Sequence, residues 1–171
     1  MSGDAAPTVH LIVGNVGAGK STYARALAAQ KRAHVFANDP WFAELYQPDL
    51  QGSDYAWTLE RTQRIERVMI AEAKALLALG LDVIFDIGFF ERSQRDRVRG
   101  AFDAGVVVTH FLDVDADERW RRVEERNAEK GETYSMTVDR QMFDFCETIF
   151  EAPKGAEYEA AVLSGGEGVS R

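Results

Sequence analysis

The sequence predicts a three-layer α/β domain: a central, mainly parallel, five-stranded sheet with helices on both faces. Two observations carry this expectation. Short apolar runs rich in Val, Ile and Phe alternate with amphipathic stretches of helical length, which is the pattern of βαβ units whose parallel sheet is covered on both sides. A glycine-rich segment, residues 14–21, also stands between the first apolar run and the first helical stretch, where a strand-turn-helix unit places a phosphate-binding loop. No repeat, low-complexity linker or break in composition divides the chain, so residues 1–171 are expected to form one domain. The ordered core is expected over about residues 8–163, with a flexible Gly/Ser-rich tail over 164–171.

The elements follow in order. VHLIV, residues 9–13, is a continuous apolar run and reads as a buried central strand. The Ala-rich stretch 20–31 reads as a helix, and HVFAN, residues 34–38, as the second strand. Trp41, Phe42 and Leu45 are spaced to pack one face of a short helix, while residues 47–54, with Pro48 and Gly52, read as a loop. A helix over 57–79, a strand over 81–86, a helix over 91–104 and a strand over 106–112 continue the alternation. Helices over 117–130 and 138–150 follow, and a last short strand over 161–163 completes the sheet.

Composition removes several function classes. Acidic residues outnumber basic ones 28 to 20, a net charge of -8, and this field opposes a broad nucleic-acid-coating surface. The apolar runs fall far short of the ~20 residues of a membrane span, and residues 1–7 lack a basic or apolar leader pattern. The single cysteine, Cys146, has no internal disulfide partner and reads as a buried small hydrophobe. A cytoplasmic protein without a membrane partner, monomeric or weakly dimeric, is the expectation. His10, His34 and His110 fall in separate strands, with no evident nucleophile or metal set around them.

Residues 14–21, GNVGAGKS, fit G-x-x-x-x-G-K-[ST], with an additional glycine at position 17. Gly14, Gly17 and Gly19 permit torsions that turn successive amides of Asn15, Val16, Ala18 and their neighbours towards an anion. The helix N-terminus at Lys20, Ser21 and Thr22 adds partial positive charge. Lys20 then reaches the β- and γ-phosphates of ATP, and the Ser21 hydroxyl ligates Mg²⁺. Binding of a nucleoside triphosphate is the expectation from this loop.

Three further groups extend the site. Asp39 follows the second strand where ligands collect in open α/β sheets, and Pro40 turns the chain away. It reads as the base for an acceptor hydroxyl, with a helix cap as the alternative role. Asp86 ends the strand VIFD and reads as a second Mg²⁺ ligand, direct or through water. Arg119, Arg122 and Arg126 project within an arc of roughly 60° on one helix and suit a developing phosphoryl charge, whereas Arg121 points elsewhere. A solvated face of i,i+4 ion pairs is the competing reading of that helix. Trp41 and Tyr46, with Phe42, Tyr55 and Trp57, crowd the region of Asp39 and are candidate walls of an acceptor pocket. Arg61 and Arg92 are candidate substrate contacts.

These segments resemble the small P-loop kinases grouped with polynucleotide kinase, zeta toxin and gluconate kinase, among the AAA-type ATPase families. The resemblance spans residues 8–153 and rests on GNVGAGKS, ANDPW (37–41), VIFDIGFF (83–90) and DVDADERWRRVEERN (113–127). It implies an acceptor-activating Asp39, a Walker-B-like Asp86, an arginine lid helix and an adenine-side role for IFEAP, residues 149–153. ANDPW holds one acid where polynucleotide kinases tend to show two in tandem. The expected activity is transfer of the γ-phosphoryl group of ATP to a hydroxyl of a small molecule or nucleotide-like acceptor, with a 5′-hydroxyl nucleic-acid end less favoured. The alternative is an ATPase or switch acting on a protein partner.

Overall fold

The strands appear where the apolar runs placed them. The computed structural model describes residues 6–52, 54–131 and 137–164. Strands β1 (Val9–Val13), β2 (His34–Ala37), β3 (Val83–Asp86), β4 (Val107–Leu112) and β5 (Val162–Ser164) form one sheet in the order β2-β3-β1-β4-β5, every neighbouring pair parallel. The helices are α1 (Lys20–Lys31), α2 (Asn38–Leu45), α3 (Tyr55–Ala78), α4 (Arg92–Arg99), α5 (Ala116–Glu129), α6 (Arg140–Ile149) and α7 (Ala156–Glu159). No helix among the described residues is long and apolar enough to cross a membrane.

The strand alternation sorts the core onto two faces. Val9, Leu11 and Val13 of β1 join Val83 and Phe85 of β3 against Ile65, Met69 and Ala73 of α3 and Val98 of α4. Ile12, Ile84 and Leu112 point the other way, onto Tyr23, Ala24 and Leu27 of α1. Burying each such Leu, Ile or Phe contributes about 1.5–3 kcal/mol, so the apolar interior of β1 fixes both layers at once.

Local differences from the expected elements have local causes. Helix α4 stops at Arg99 because Gly100 caps it and residues 101–103 turn before β4. Leu45 is exposed, and Tyr46 packs on the core beside Trp41 and Phe42 in its place, because the helix ends there and the chain turns. The loop after α2 contains a 3-10 turn at Gln47–Asp49, with Pro48 in its first positions. That turn and α7 are too short to leave a periodic signal.

The α1 face of the sheet also holds a buried polar chain. Tyr23 Oη lies 2.9 Å from His110 Nδ1, His110 Nε2 lies 2.9 Å from His10 Nδ1, and His10 Nε2 lies 3.4 Å from a carboxylate oxygen of Asp82. With both rings neutral, one set of tautomers satisfies every atom: Tyr23 donates to His110, His110 to His10, and His10 to Asp82. Asp82 also accepts the Thr8 amide at 2.8 Å, which ties the chain to the start of β1. Burial and the neighbouring His10 and Lys31 push His110 down to about 4, and burial lowers His10 despite Asp82. The unfolded chain therefore takes up protons first on acidification. The contribution of these rings is complete above about pH 6.5 and is lost as pH falls towards 4. Between pH 7.5 and 5.5 urea unfolding should lose about 1 kcal/mol from His110 alone. A His10→Gln/His110→Gln variant should show a correspondingly shallower pH slope. An equal slope in both proteins would remove the histidines as the cause.

Candidate phosphate-binding and acceptor site

Everything expected to act on phosphate leaves the sheet at its C-terminal edge. The loop of residues 14–19 follows β1, Asp39 lies two residues beyond the end of β2, and Asp86 is the last residue of β3, paired in register with Ala37. Because β3 lies between β2 and β1, Asp86 stands between Asp39 and the loop.

The loop is shaped by contacts as much as by torsions. Gly19 is the left-handed cap of α1, and Gly17 also has positive φ, whereas Gly14 does not. Gly14 is required for space instead, because a Cβ there would lie 3.0 Å from Ala18 Cβ and 3.2 Å from the Leu112 carbonyl oxygen. Gly17 is the tighter case. A Cβ built on it would sit 2.4 Å from the carbonyl oxygen of Arg119, so the loop and α5 touch backbone to backbone. Gly17→Ala adds this overlap to the strain of a left-handed alanine and should cost about 2–4 kcal/mol. Thermal or urea unfolding measures it, and a cost below 1 kcal/mol would mean that α5 is not seated on the loop.

Lys20 points inward from the loop, its ammonium 3.2 Å from the Asn15 carbonyl oxygen. Burial lowers its pKa, against the favourable charges of Asp86 and Asp39, and Arg126 adds to the lowering. Asp86 is pushed up by burial, opposed by a hydrogen bond with Ser21 and by the charge of Lys20. Ser21 and Asp86 thus present adjoining oxygen ligands of the hard type that Mg²⁺ takes together with water and phosphate oxygens. Asp39 is exposed at the start of α2, whose N-cap is Ala37, so it lies in the first turn and is not the capping residue.

The three arginines of α5 part company. Arg122 lies over the loop, its Nη1 3.8 Å from where a Gly19 Cβ would be, and Arg126 acts electrostatically on Lys20. Arg122 also donates from Nε to Glu118 at 2.7 Å. Arg119 is buried and turned into the protein interior. It donates to both carboxylate oxygens of Glu147 at 2.7 and 3.0 Å, to Val114 O at 2.9 Å and to Val16 O at 3.2 Å. The ion-pair face of the competing reading is also present: Arg121 pairs with Glu118 and Glu125, and Arg122 shares Glu118.

The residues expected to line an acceptor pocket are ordered by aromatic and ionic packing. Phe42, Tyr46 and Trp57 form a mutual cluster with ring centroids 5.9, 6.3 and 6.4 Å apart, and Trp41 packs on the core. Arg61 covers the Trp57 ring at 3.7 Å and pairs with Glu60, so the face it occupies is not open to a ligand. Tyr55 is exposed and meets Phe145 of α6 edge-on at 6.4 Å. Arg92 lies at the start of α4, mostly exposed, its side chain 3.4 Å from Asp96.

The connection after Asp86 has two consecutive residues with positive φ, Gly88 and Phe89. Phe89 is fully buried, its carbonyl accepts from Arg95 at 3.2 Å, and the fully buried Arg95 is paired with Glu157 through two hydrogen bonds at 2.7 and 3.0 Å. The IFEAP segment meets this connection: Glu151 N donates to Phe90 O at 2.8 Å, and the Glu151 carboxylate accepts from Arg92 N at 2.7 Å. The Glu151 amide and carboxylate therefore tie this segment, for which the resemblance implied an adenine-side role, to the β3–α4 connection.

Two participants carry no local sequence motif. Glu147 binds both the loop and α5, and Arg25 of α1 lies close enough for its charge to act on Asp86. A signal for Glu147 exists in retrospect: positions 143, 146, 147 and 150 share one face of α6, and only Glu147 among them is charged.

Similar proteins share this architecture. A sugar kinase from Janibacter sp. HTCC2649 superposes with a TM-score of 0.63 at 16% identity, covering 92% of this chain and 84% of that one. A gluconokinase from Sinorhizobium meliloti 1021 gives 0.60 at 18%, covering 92% and 82%. Kti12 from Chaetomium thermophilum in complex with ADP-AlF3 gives 0.67 at 16%, covering 91% and 88%. At these identities the likeness is one of fold. Among curated proteins none matches the sequence. The family model of an AAA domain, AAA_33, matches residues 9–153, and the chain belongs to that family of P-loop domains.

Proposed function

We propose that the protein is a kinase that transfers the γ-phosphoryl group of ATP to a hydroxyl of a small-molecule or nucleotide-like acceptor. The observation that carries this reading is the position of Asp39: an exposed carboxylate on the same sheet edge as Lys20, Ser21 and Asp86, with Asp86 between it and the loop. An acceptor hydroxyl approaching the γ-phosphorus from that side needs an acid placed to take its proton.

In this reading the loop amides and Lys20 hold the phosphates. Ser21 and Asp86 would hold Mg²⁺, which when bound would neutralise phosphate charge. Asp39 accepts the hydroxyl proton as the new O–P bond forms and the bond from the γ-phosphorus to the β,γ-bridging oxygen breaks, leaving ADP. Arg122 and Arg126 are placed for the charge on the transferring group, while Arg119 holds the lid helix to the loop. The compact acceptor side, with the Trp57 face covered by Arg61, favours a small acceptor over a polynucleotide end.

The test is transfer of label from γ-labelled ATP across sugars, nucleosides, hydroxylated antibiotics and 5′-hydroxyl oligonucleotides. Labelled acceptor is the expected product. Labelled free phosphate alone, released faster when a protein partner is added, would establish the ATPase or switch reading instead.

A further inference from the structure

Glu147 lies on α6 in a sequence of otherwise apolar inward positions, Phe143 and Cys146 being buried beside it. Its carboxylate serves two elements. One oxygen accepts from the side-chain amide of Asn15, and both oxygens accept from Arg119 of α5 at 2.7 and 3.0 Å. Asn15 cannot rotate away without loss, because its amide oxygen accepts the Val16 backbone N–H at 2.7 Å. Its carbonyl meanwhile receives the Lys20 ammonium at 3.2 Å.

The same three loop residues are gripped from the lid side at every step. Asn15 is held by Glu147, and the Val16 carbonyl accepts from Arg119. The Val16 side chain packs against the cluster of Val123, Val138 and Phe143, and Gly17 lies against the Arg119 carbonyl. Glu147 is the carboxylate on which the grips of α5 and α6 converge. Without it, Arg119 would keep a buried charge with only carbonyl partners, a costly arrangement, and Asn15 would lose the acceptor that fixes its amide.

We propose that Glu147 is a positioning residue for nucleotide binding: acting through Asn15 and Arg119, it holds the first half of the phosphate-binding loop in its anion-ready shape and couples that shape to the lid helices. The inference rests on the reading of this loop as a nucleotide site, and nothing in the loop motif itself requires a partner 132 positions away.

The experiment measures the dissociation constant of Mg²⁺ and AMPPNP, a non-hydrolysable ATP analogue, together with the unfolding midpoint, for wild type, Asn15→Ala, Glu147→Ala, Glu147→Gln and the Asn15→Ala/Glu147→Ala double variant. Each alanine variant should weaken binding about tenfold and the double variant no more than the worse single one, because both break one linkage. Glu147→Gln, which still offers an acceptor oxygen to Asn15 but sets an amide N–H2 against Arg119 Nη2, should bind with an affinity between those of wild type and Glu147→Ala. Should Glu147→Ala fail to fold, Asn15→Ala and Glu147→Gln decide the matter by the same criteria. A lowered midpoint with affinity within twofold of wild type, or single effects that multiply in the double variant, would overturn the proposal by making Glu147 a staple between α5 and α6 only. A wild-type protein that binds no AMPPNP would instead overturn the nucleotide reading, and the inference with it.

Discussion

Replacing Asp39 with Asn should lower phosphoryl transfer by about 10²–10⁴-fold, the range over which a positioned general base acts, while ATP affinity stays within about twofold. The separation follows from where Asp39 is. It sits in the first turn of α2 beyond β2, whereas the groups proposed to meet phosphate lie on the loop after β1 and on α5. Asn keeps the size of the side chain and loses the charge and the basicity. The stability change should be small, because Ala37, not Asp39, is the helix N-cap; the carboxylate's interaction with the helix dipole is worth about 0.3–1 kcal/mol at an exposed site. Nucleotide binding should not weaken, since Asp39 is a negative charge that a triphosphate must approach. The measurements are kcat with a productive acceptor, AMPPNP affinity and the unfolding midpoint. If affinity and transfer fall together, Asp39 shapes the site and the hydroxyl finds its base elsewhere.

What was legible in the sequence was whatever depends on neighbours along the chain. GNVGAGKS carries its turn and the start of its helix within one short stretch, and the apolar runs of β1 and β3 are buried by their own composition, while β4 is buried over its second half and β2 buries only Phe36. Even there the reasons shift. The loop's extra glycine, Gly17, is demanded by the Arg119 carbonyl as well as by its own torsion, and Gly14 is demanded by Leu112 and Ala18. Spacing grouped Arg119, Arg122 and Arg126 on one arc but could not say which guanidinium an acid on another helix would claim, and Glu147 claims Arg119. The histidines tell the same story. In the β1–β4 register His110 stands opposite Ile12, so its ring reaches His10 only along a diagonal that alignment of the strands reveals. The aromatic wall was legible as a composition of rings, but not that the rings would turn on one another and take Arg61 as a cover.

Replacing Lys20 with Met should abolish most nucleotide binding and yet leave the ligand-free fold as stable as wild type or more so. Burial already works against the Lys20 charge, and Asp86 and Asp39 only partly offset it; a buried cation held in this way for a ligand is a standing cost in the ligand's absence. With a triphosphate present the balance reverses, because the charge then faces phosphate in a site from which water is excluded. Removing one such preorganised contact costs about 10²–10³-fold. The difference is visible as ligand-induced stabilisation. At a nucleotide concentration of 100 times its dissociation constant the wild type gains about 2.7 kcal/mol, and a 100-fold weaker variant at that same concentration gains only about 0.4 kcal/mol. A second consequence distinguishes loss of a contact from collapse of the loop. Lys20 is one of the groups holding the Asp86 pKa down against burial. Without it the Asp86 carboxyl keeps its proton to higher pH, so the pH at which Mg²⁺ begins to bind with nucleotide should move upward in Lys20→Met. A variant that lost affinity with no such movement would separate Lys20 from Asp86, and the pairing of phosphate grip with metal site on this edge of the sheet would have to be given up.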